Sequence, residues 1–238
     1  IATDLALAVC YPVAGNIGGG GFTVYRLANG KTGAFDYREK APLAASRDMY
    51  LDEKGEVIPN KSTLGALAVG VPGTIAGLFK IHELHGTLPF ADLIQPAIDL
   101  ARRGVVVTEK QAEGLKDYLP LFEKANQKPI FMNKDWKAGD TIKYPELTNT
   151  LERIRDGGRE EFYSGKTADL LVAQVQKLGG LITKNDLEKY EAKTREPIVF
   201  SYGKFKIISM APPSSGGICL AQILKSIEPF DLAGLGHN

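Results

Sequence analysis

Apolar side chains recur along this chain at two periods, one helical and one strand-like, and the two occur in separate blocks. Ile1, Leu5, Ala8 and Val9 keep helical spacing, so residues 1–11 are predicted as the remainder of an alanine-rich helix, ended by Pro12 and Gly15. After a run of glycines, short β-prone stretches at 22–26 and 32–35 flank Asn29-Gly30, the signature of a hairpin turn. The segment 46–60 is polar, turns at Lys54-Gly55 and is expected at the surface. From Pro72-Gly73-Thr74 to Gly86, the stripe Ile75, Leu78, Phe79 and His82 predicts an amphipathic core helix. Residues 90–103 repeat the pattern through Leu93, Ala97, Leu100 and Ala101, with Pro96 either bending the helix or beginning a second turn. Gly104 closes it ahead of Val105-Val106-Val107.

The stretch 108–144 predicts a short helix among loops around Asn126, Pro129, Asn133 and Gly139, and reads as an insertion or a cover. Pro145 suits the first turn of a helix carrying Leu147, Leu151 and Ile154, which Gly157-Gly158 would terminate. A further helix from Phe162 carries Leu170, Leu171, Val175 and Leu178, and Thr183 is placed to N-cap residues 184–190. Strands return at 198–200 and 205–210, joined across Tyr202-Gly203-Lys204. Ser214-Ser215-Gly216-Gly217 then opens a last helix striped by Leu220, Ile223, Leu224 and Ile227. No internal repeat or low-complexity linker divides the chain, which reads as a single α+β domain over 1–238.

Composition narrows the function classes. At 238 residues and 44% hydrophobic content the chain can fill a core. Its 29 basic and 28 acidic residues leave a net charge of +1, so no bulk field favours nucleic acid or an anionic membrane. No apolar run approaches the roughly 18 residues of a membrane span. Both ends look cut: Ile1 is not a translation start, and 233–238 is a flexible run without a closing element. Cys10 and Cys219 form neither a disulfide framework nor a metal-spaced cluster, and small buried hydrophobes are the expected reading.

Candidate chemistry is sparse. Gly18 to Gly21 lack the register of a dinucleotide loop and lead into a strand, so a phosphate cradle is not expected. They serve either as a tight turn that lets a helix pack closely or as backbone facing a site. Arg38 sits just past the second strand, where it could pair with Asp36 or Glu39 on the surface or hold a carboxylate through two parallel hydrogen bonds. His82 and His85 share a helix face without a third ligand, so solvated or capping histidines are expected and no metal site. Ser214 and Ser215 are either caps or anion contacts at a helix start. Glu160 and Glu161 read as a solvated face. The sequence contains no G-x-S-x-G elbow and no H-E-x-x-H, so no catalytic residue is assigned.

Three stretches, in this order, resemble the large subunit of the γ-glutamyltranspeptidase family: Asn16-Ile17-Gly18-Gly19-Gly20-Gly21-Phe22, Phe35-Asp36-Tyr37-Arg38-Glu39-Lys40-Ala41-Pro42 and Pro212-Pro213-Ser214-Ser215-Gly216-Gly217. Val71-Pro72-Gly73-Thr74, Gly179-Gly180-Leu181-Ile182-Thr183 and Asp186-Leu187 resemble the family's spacers. Ala211 stands where the family has a third proline, a mild departure. The resemblance implies part of a four-layer αββα sandwich of the N-terminal nucleophile hydrolase type, completed by a small subunit cut from the same precursor. That subunit would bring an N-terminal threonine as nucleophile, with its α-amine as base. It implies for Arg38 the binding of the α-carboxylate of a γ-glutamyl substrate such as glutathione, and no cofactor. A periplasmic or secreted location is implied by the bacterial members. Two alternatives remain: a related acylase acting on a cephalosporin side chain or poly-γ-glutamate, and a non-catalytic binding domain derived from this subunit.

Overall fold

A computed structural model describes residues 1–14, 16–125 and 133–236. The expected roles of Gly15, Asn126, Pro129, His237 and Asn238 lie outside the described residues. In chain order the elements are α1 (Ala2–Cys10), β1 (Phe22–Arg26), β2 (Thr32–Asp36), a 3-10 turn (Ala66–Ala68), α2 (Thr74–His85), α3 (Phe90–Arg103), β3 (Val105–Val106), α4 (Glu109–Ala125) and β4 (Thr141–Ile142). Then come α5 (Pro145–Tyr163), α6 (Lys166–Lys177), α7 (Lys184–Glu188), β5 (Lys193–Arg195), β6 (Ile198–Tyr202), β7 (Phe205–Ser209), α8 (Gly216–Ile227) and α9 (Leu232–Leu235). They fall into two compact units, one of residues 1–20 and 38–191, the other of 21–37 and 192–238.

The first unit is helical. α3 packs on α5 and on α1, and α5 packs on α6 and α2. At this centre Ile94, Ile98, Leu151 and Ile154 are fully buried beside Leu5 and Val9; α3 thus turns Ile94 and Ile98 inward with Ala97 and Ala101, whereas Leu93 and Leu100 of the expected stripe are half-buried. α3 runs unbroken through Pro96. α5 begins with Pro145 and breaks at Gly158, whose φ of 66° suits glycine, then resumes to Tyr163 instead of ending there. That last turn carries Glu161 inward: its side chain is 16% exposed, against 69% for Glu160. The Glu161 carboxylate accepts from Lys166 N, Thr167 N and Thr167 Oγ1 at the start of α6, and from Arg153 Nε at 3.1 Å. The expected solvated pair is therefore corrected. Glu160 is solvated, whereas Glu161 supplies the acceptors that α6 lacks, since Gly165 at its N-cap has no side chain. The stretch after Thr108 is also corrected, because its helix spans 17 residues with none buried.

In the second unit β2 lies between β1 and β5, antiparallel to both, with Val24 opposite Ala34 and Ala34 opposite Arg195. The hairpin turns at Asn29-Gly30, where Gly30 has φ 86° and Asn29 Oδ1 accepts from Lys31 N. Ala34, Phe35, Asp36 and Tyr37 are all buried, so successive side chains on both faces of this strand are covered. Asp36 takes two hydrogen bonds from Arg195, at 2.7 and 3.1 Å. β6 and β7 form a separate hairpin under α8. Gly217 allows that packing, because a Cβ there would stand 2.2 Å from Met210 O. Cys219 on α8 is exposed and Cys10 half-buried, so the expectation of two buried thiols fails for Cys219; each is a free thiol.

Candidate functional site

The N-terminus of α2 organises the surroundings of Arg38. Its N-cap residue, Gly73, has no side chain to offer, and other parts of the chain satisfy the first N–H groups. Gly19 O accepts from Gly73 N at 2.8 Å and from Thr74 N at 3.1 Å, while Thr74 Oγ1 donates to Asn16 O. The glycine turn is therefore seated on the helix start. None of Gly18 to Gly21 has positive φ; the demand there is for space. A Cβ on Gly19 would stand 3.3 Å from Asn16 O and 3.4 Å from Glu39 Oε1. Gly18 lines the cleft beside Arg38.

Ala76 N, further into the same helix, donates to Tyr163 Oη at 3.1 Å, and Tyr163 Oη donates to Pro72 O at 3.0 Å. Burial pushes the Tyr163 phenol well above its ordinary value, so it stays a neutral hydroxyl able to accept and donate together. Its ring stacks on Tyr190 with centroids 5.8 Å apart. Arg159 covers the Tyr163 ring and Lys40 the Tyr190 ring, each at 4.6 Å from the centroid. Arg159 Nη2 also donates to Tyr190 O at 2.6 Å. The result is a stacked pair of phenol rings with one cation over each.

Residues 38–43 are fixed against this frame by their main chain. Tyr190 Oη donates to Arg38 O at 2.8 Å. Lys40 and Val71 exchange backbone hydrogen bonds of 3.2 and 2.8 Å, and Lys40 Nζ donates to Glu191 O. Leu43 N donates to Asp186 Oδ1 at 2.6 Å. Asp186 is also the far half of a capping box: its Oδ2 accepts from Thr183 N, and Thr183 Oγ1 accepts from Asp186 N. The predicted N-cap at Thr183 is present.

Burial works against the Asp186 carboxylate, but hydrogen bonds from Leu43 and Thr183 prevail and hold its pKa below the ordinary 3.8. A folded-state value below the unfolded one adds stability that is complete above the ordinary value and is lost as pH falls through the folded value. Asp186→Asn is therefore expected to cost about 1–3 kcal/mol near neutral pH. The deficit relative to the parent should shrink as pH drops below the ordinary carboxylate range, which thermal unfolding followed across pH would measure.

Arg38 is exposed at the edge of an open cleft of about 470 Å³, whose lining includes Glu39, Ala41, Val69 and Gly70. A Cβ on Gly70 would stand 2.9 Å from Glu39 Cβ, so glycine lets the two walls approach. The cleft offers the Arg38 guanidinium, the Lys40 side chain, the Glu39 carboxylate and close backbone, with no hydroxyl, thiol or imidazole among its described lining residues. That set suits recognition of a small charged group and supplies no nucleophile. A second groove, of about 450 Å³ and lined by residues such as Leu64, Leu121, Phe122 and Val175, is mostly apolar. Ser214 and Ser215 lie in the second unit at the start of α8: Gly216 N donates to Ser214 Oγ, and Ser215 makes no side-chain cap bond. His82 Nε2 bonds Leu88 O at 2.7 Å and its ring meets Phe90 edge-on. Sequence reasoning found Arg38 and the glycine turn but missed Asp186 and Tyr190 as its supports. The capping box could have revealed the first, while nothing local marks the second.

A family model for Gamma-glutamyltranspeptidase matches residues 1–238. Curated relatives include the Glutathione hydrolase proenzymes of Pseudomonas aeruginosa, 50% identical over 100% of this chain, and of Escherichia coli, 45% identical over 100%. The chain spans 43% and 42% of their respective lengths. Among solved structures, Helicobacter pylori gamma-Glutamyltranspeptidase superposes with a TM-score of 0.94 at 46% identity, covering 100% of this chain and 69% of that one. Acylase ACY 1 proenzyme of a Pseudomonas species is 34% identical over 100% of this chain and 44% of its own length.

Proposed function

This chain belongs to the γ-glutamyltranspeptidase family, and from that premise we propose that it is the large-subunit portion of an enzyme that cleaves γ-glutamyl amides such as glutathione. The observation that carries this reading is Arg38, in one of the stretches that resemble the family, lining an open cleft with its main chain clamped by Tyr190. In the proposed complex its guanidinium holds the substrate α-carboxylate through two parallel hydrogen bonds. The γ-carbonyl is then presented to a threonine at the N-terminus of a small subunit cut from the same precursor. The threonine hydroxyl attacks the γ-carbonyl carbon, its α-amine taking the proton and passing it to the departing amine, which leaves a γ-glutamyl ester. Water or an amino acid or peptide amine attacks that ester and frees the threonine.

A partner chain is supported by the second unit, where Val199, Phe205, Ile218, Ile223 and Phe230 expose apolar side chains around a hairpin of two strands. On this reading the small subunit completes the four-layer αββα sandwich. A periplasmic or secreted location is part of the proposal, as the family resemblance implies it; no helix among the described residues is long and apolar enough to cross a membrane. The higher identity to glutathione hydrolases than to the acylase supports γ-glutamyl amides over other acyl substrates. The test is an intact-mass measurement on the product of the whole gene, under native and then denaturing conditions. Two polypeptides are expected, the smaller beginning with threonine. A single uncut chain would overturn the reading.

A further inference from the structure

We propose that Tyr190 is a positioning residue for Arg38, setting affinity for the α-carboxylate through a main-chain hydrogen bond. The inference rests on the proposed role of Arg38. Tyr190 is 1% exposed, yet its hydroxyl reaches the carbonyl of an exposed residue 152 positions away in sequence. The ring that carries this hydroxyl is held on every level: Tyr163 stacks on it, Lys40 covers it, and Arg159 bonds its own carbonyl. A donor so restrained fixes the plane of the peptide after Arg38, and with it the direction from which the guanidinium leaves the backbone. Lys40 closes the arrangement, with its ammonium on the Tyr190 ring and on Glu191 O while its backbone pairs with Val71. Two parallel hydrogen bonds to a carboxylate demand a fixed fork, so an error of about 1 Å at the base of the side chain is costly in binding and rate.

The phenol to phenyl change isolates the hydroxyl, because Phe keeps the stacking and the cation contact. In the complete two-chain enzyme, Tyr190→Phe is expected to raise KM for a γ-glutamyl anilide by about five- to tenfold, the worth of one hydrogen bond, with kcat little changed. A 4-aminobutyryl anilide, which lacks the α-carboxylate, should show no such change. In an Arg38→Ala background the same substitution should add nothing, since Tyr190 acts through Arg38. Equal effects in both backgrounds, or on both anilides, would overturn the proposal. So would an unchanged KM in Tyr190→Phe when Arg38→Ala alone raises it. If Arg38→Ala itself leaves KM unchanged, the carboxylate role of Arg38 has failed first. Should Tyr190→Phe not accumulate as folded protein, Lys40→Met, at an exposed position, carries the same test: it frees one face of the ring and should raise KM in the same direction, again only where Arg38 is present.

Discussion

In the proposed two-chain enzyme, Arg38→Ala is expected to lower kcat/KM for γ-glutamyl substrates by about ten- to a hundredfold, mostly through KM, the worth of about 1.5–3 kcal/mol for hydrogen bonds to a charged group. The loss has two parts: the guanidinium no longer meets the carboxylate, and the carboxylate surrenders its water to a cleft that offers no replacement donor of that shape. Arg38→Lys should recover only part of it, because an ammonium cannot make the two parallel bonds of the fork. The fold should change little with either substitution, since Arg38 is exposed and the Tyr190 bond to its carbonyl survives both. Steady-state kinetics on a γ-glutamyl anilide, with melting temperature as the control, checks both statements. An Arg38→Ala enzyme with parental KM would remove the residue from substrate binding.

Tyr163→Ala is expected to be the most destabilising of the substitutions considered, by about 3–5 kcal/mol, as for other large aromatic truncations in cores. The ring is wholly buried, stacks on Tyr190 and lies under Arg159. Its hydroxyl closes both Ala76 N at the start of α2 and Pro72 O just before it. Tyr163→Phe separates the contributions. It retains the ring and strands the two backbone groups, which should cost about 1–3 kcal/mol. Urea unfolding monitored by circular dichroism measures both, and equal midpoints for the Ala and Phe variants would show that the ring contributes nothing beyond its hydroxyl.

How far these features were legible follows from the range over which each is specified. The helices α2, α3 and α8, the Asn29-Gly30 turn and the Thr183 cap are set by residues within a few positions of one another, and all are present, although the face each helix buries is set by its partners: α3 buries Ile94 and Ile98 in place of Leu93 and Leu100, and Leu220 and Ile223 on α8 are exposed. The three-residue strand β5 reads Lys193-Thr194-Arg195, with no apolar alternation; it exists because its backbone pairs with β2 and Arg195 reaches Asp36. Glu160 and Glu161 do point apart, as adjacent helical residues must, but the helix resumes past Gly158 and carries Glu161 to the start of α6, a partner that no local pattern marks. Arg38 was singled out by the family resemblance, whereas its own neighbours allowed a surface ion pair equally well. Its supports, Tyr190 and Asp186, lie about 150 positions downstream, and hydrogen bonds to main-chain atoms leave no compositional trace at the receiving end.

The clamp on residues 38–43 also bears on how readily the cleft can be re-engineered. Arg38 offers its carbonyl, Lys40 its amide and carbonyl, and Leu43 its amide, and a backbone atom is indifferent to the side chain it carries. The proposed anchor for the head group is thereby uncoupled from the identity of Ala41 beside it. A library randomised at Ala41 and Val69 would vary the shape of the cleft wall while the guanidinium keeps its mounting. Selection for new acyl groups could then proceed from a scaffold whose hold on the shared head group is preserved, whereas the same freedom at Gly19 or Gly70 would push the walls apart.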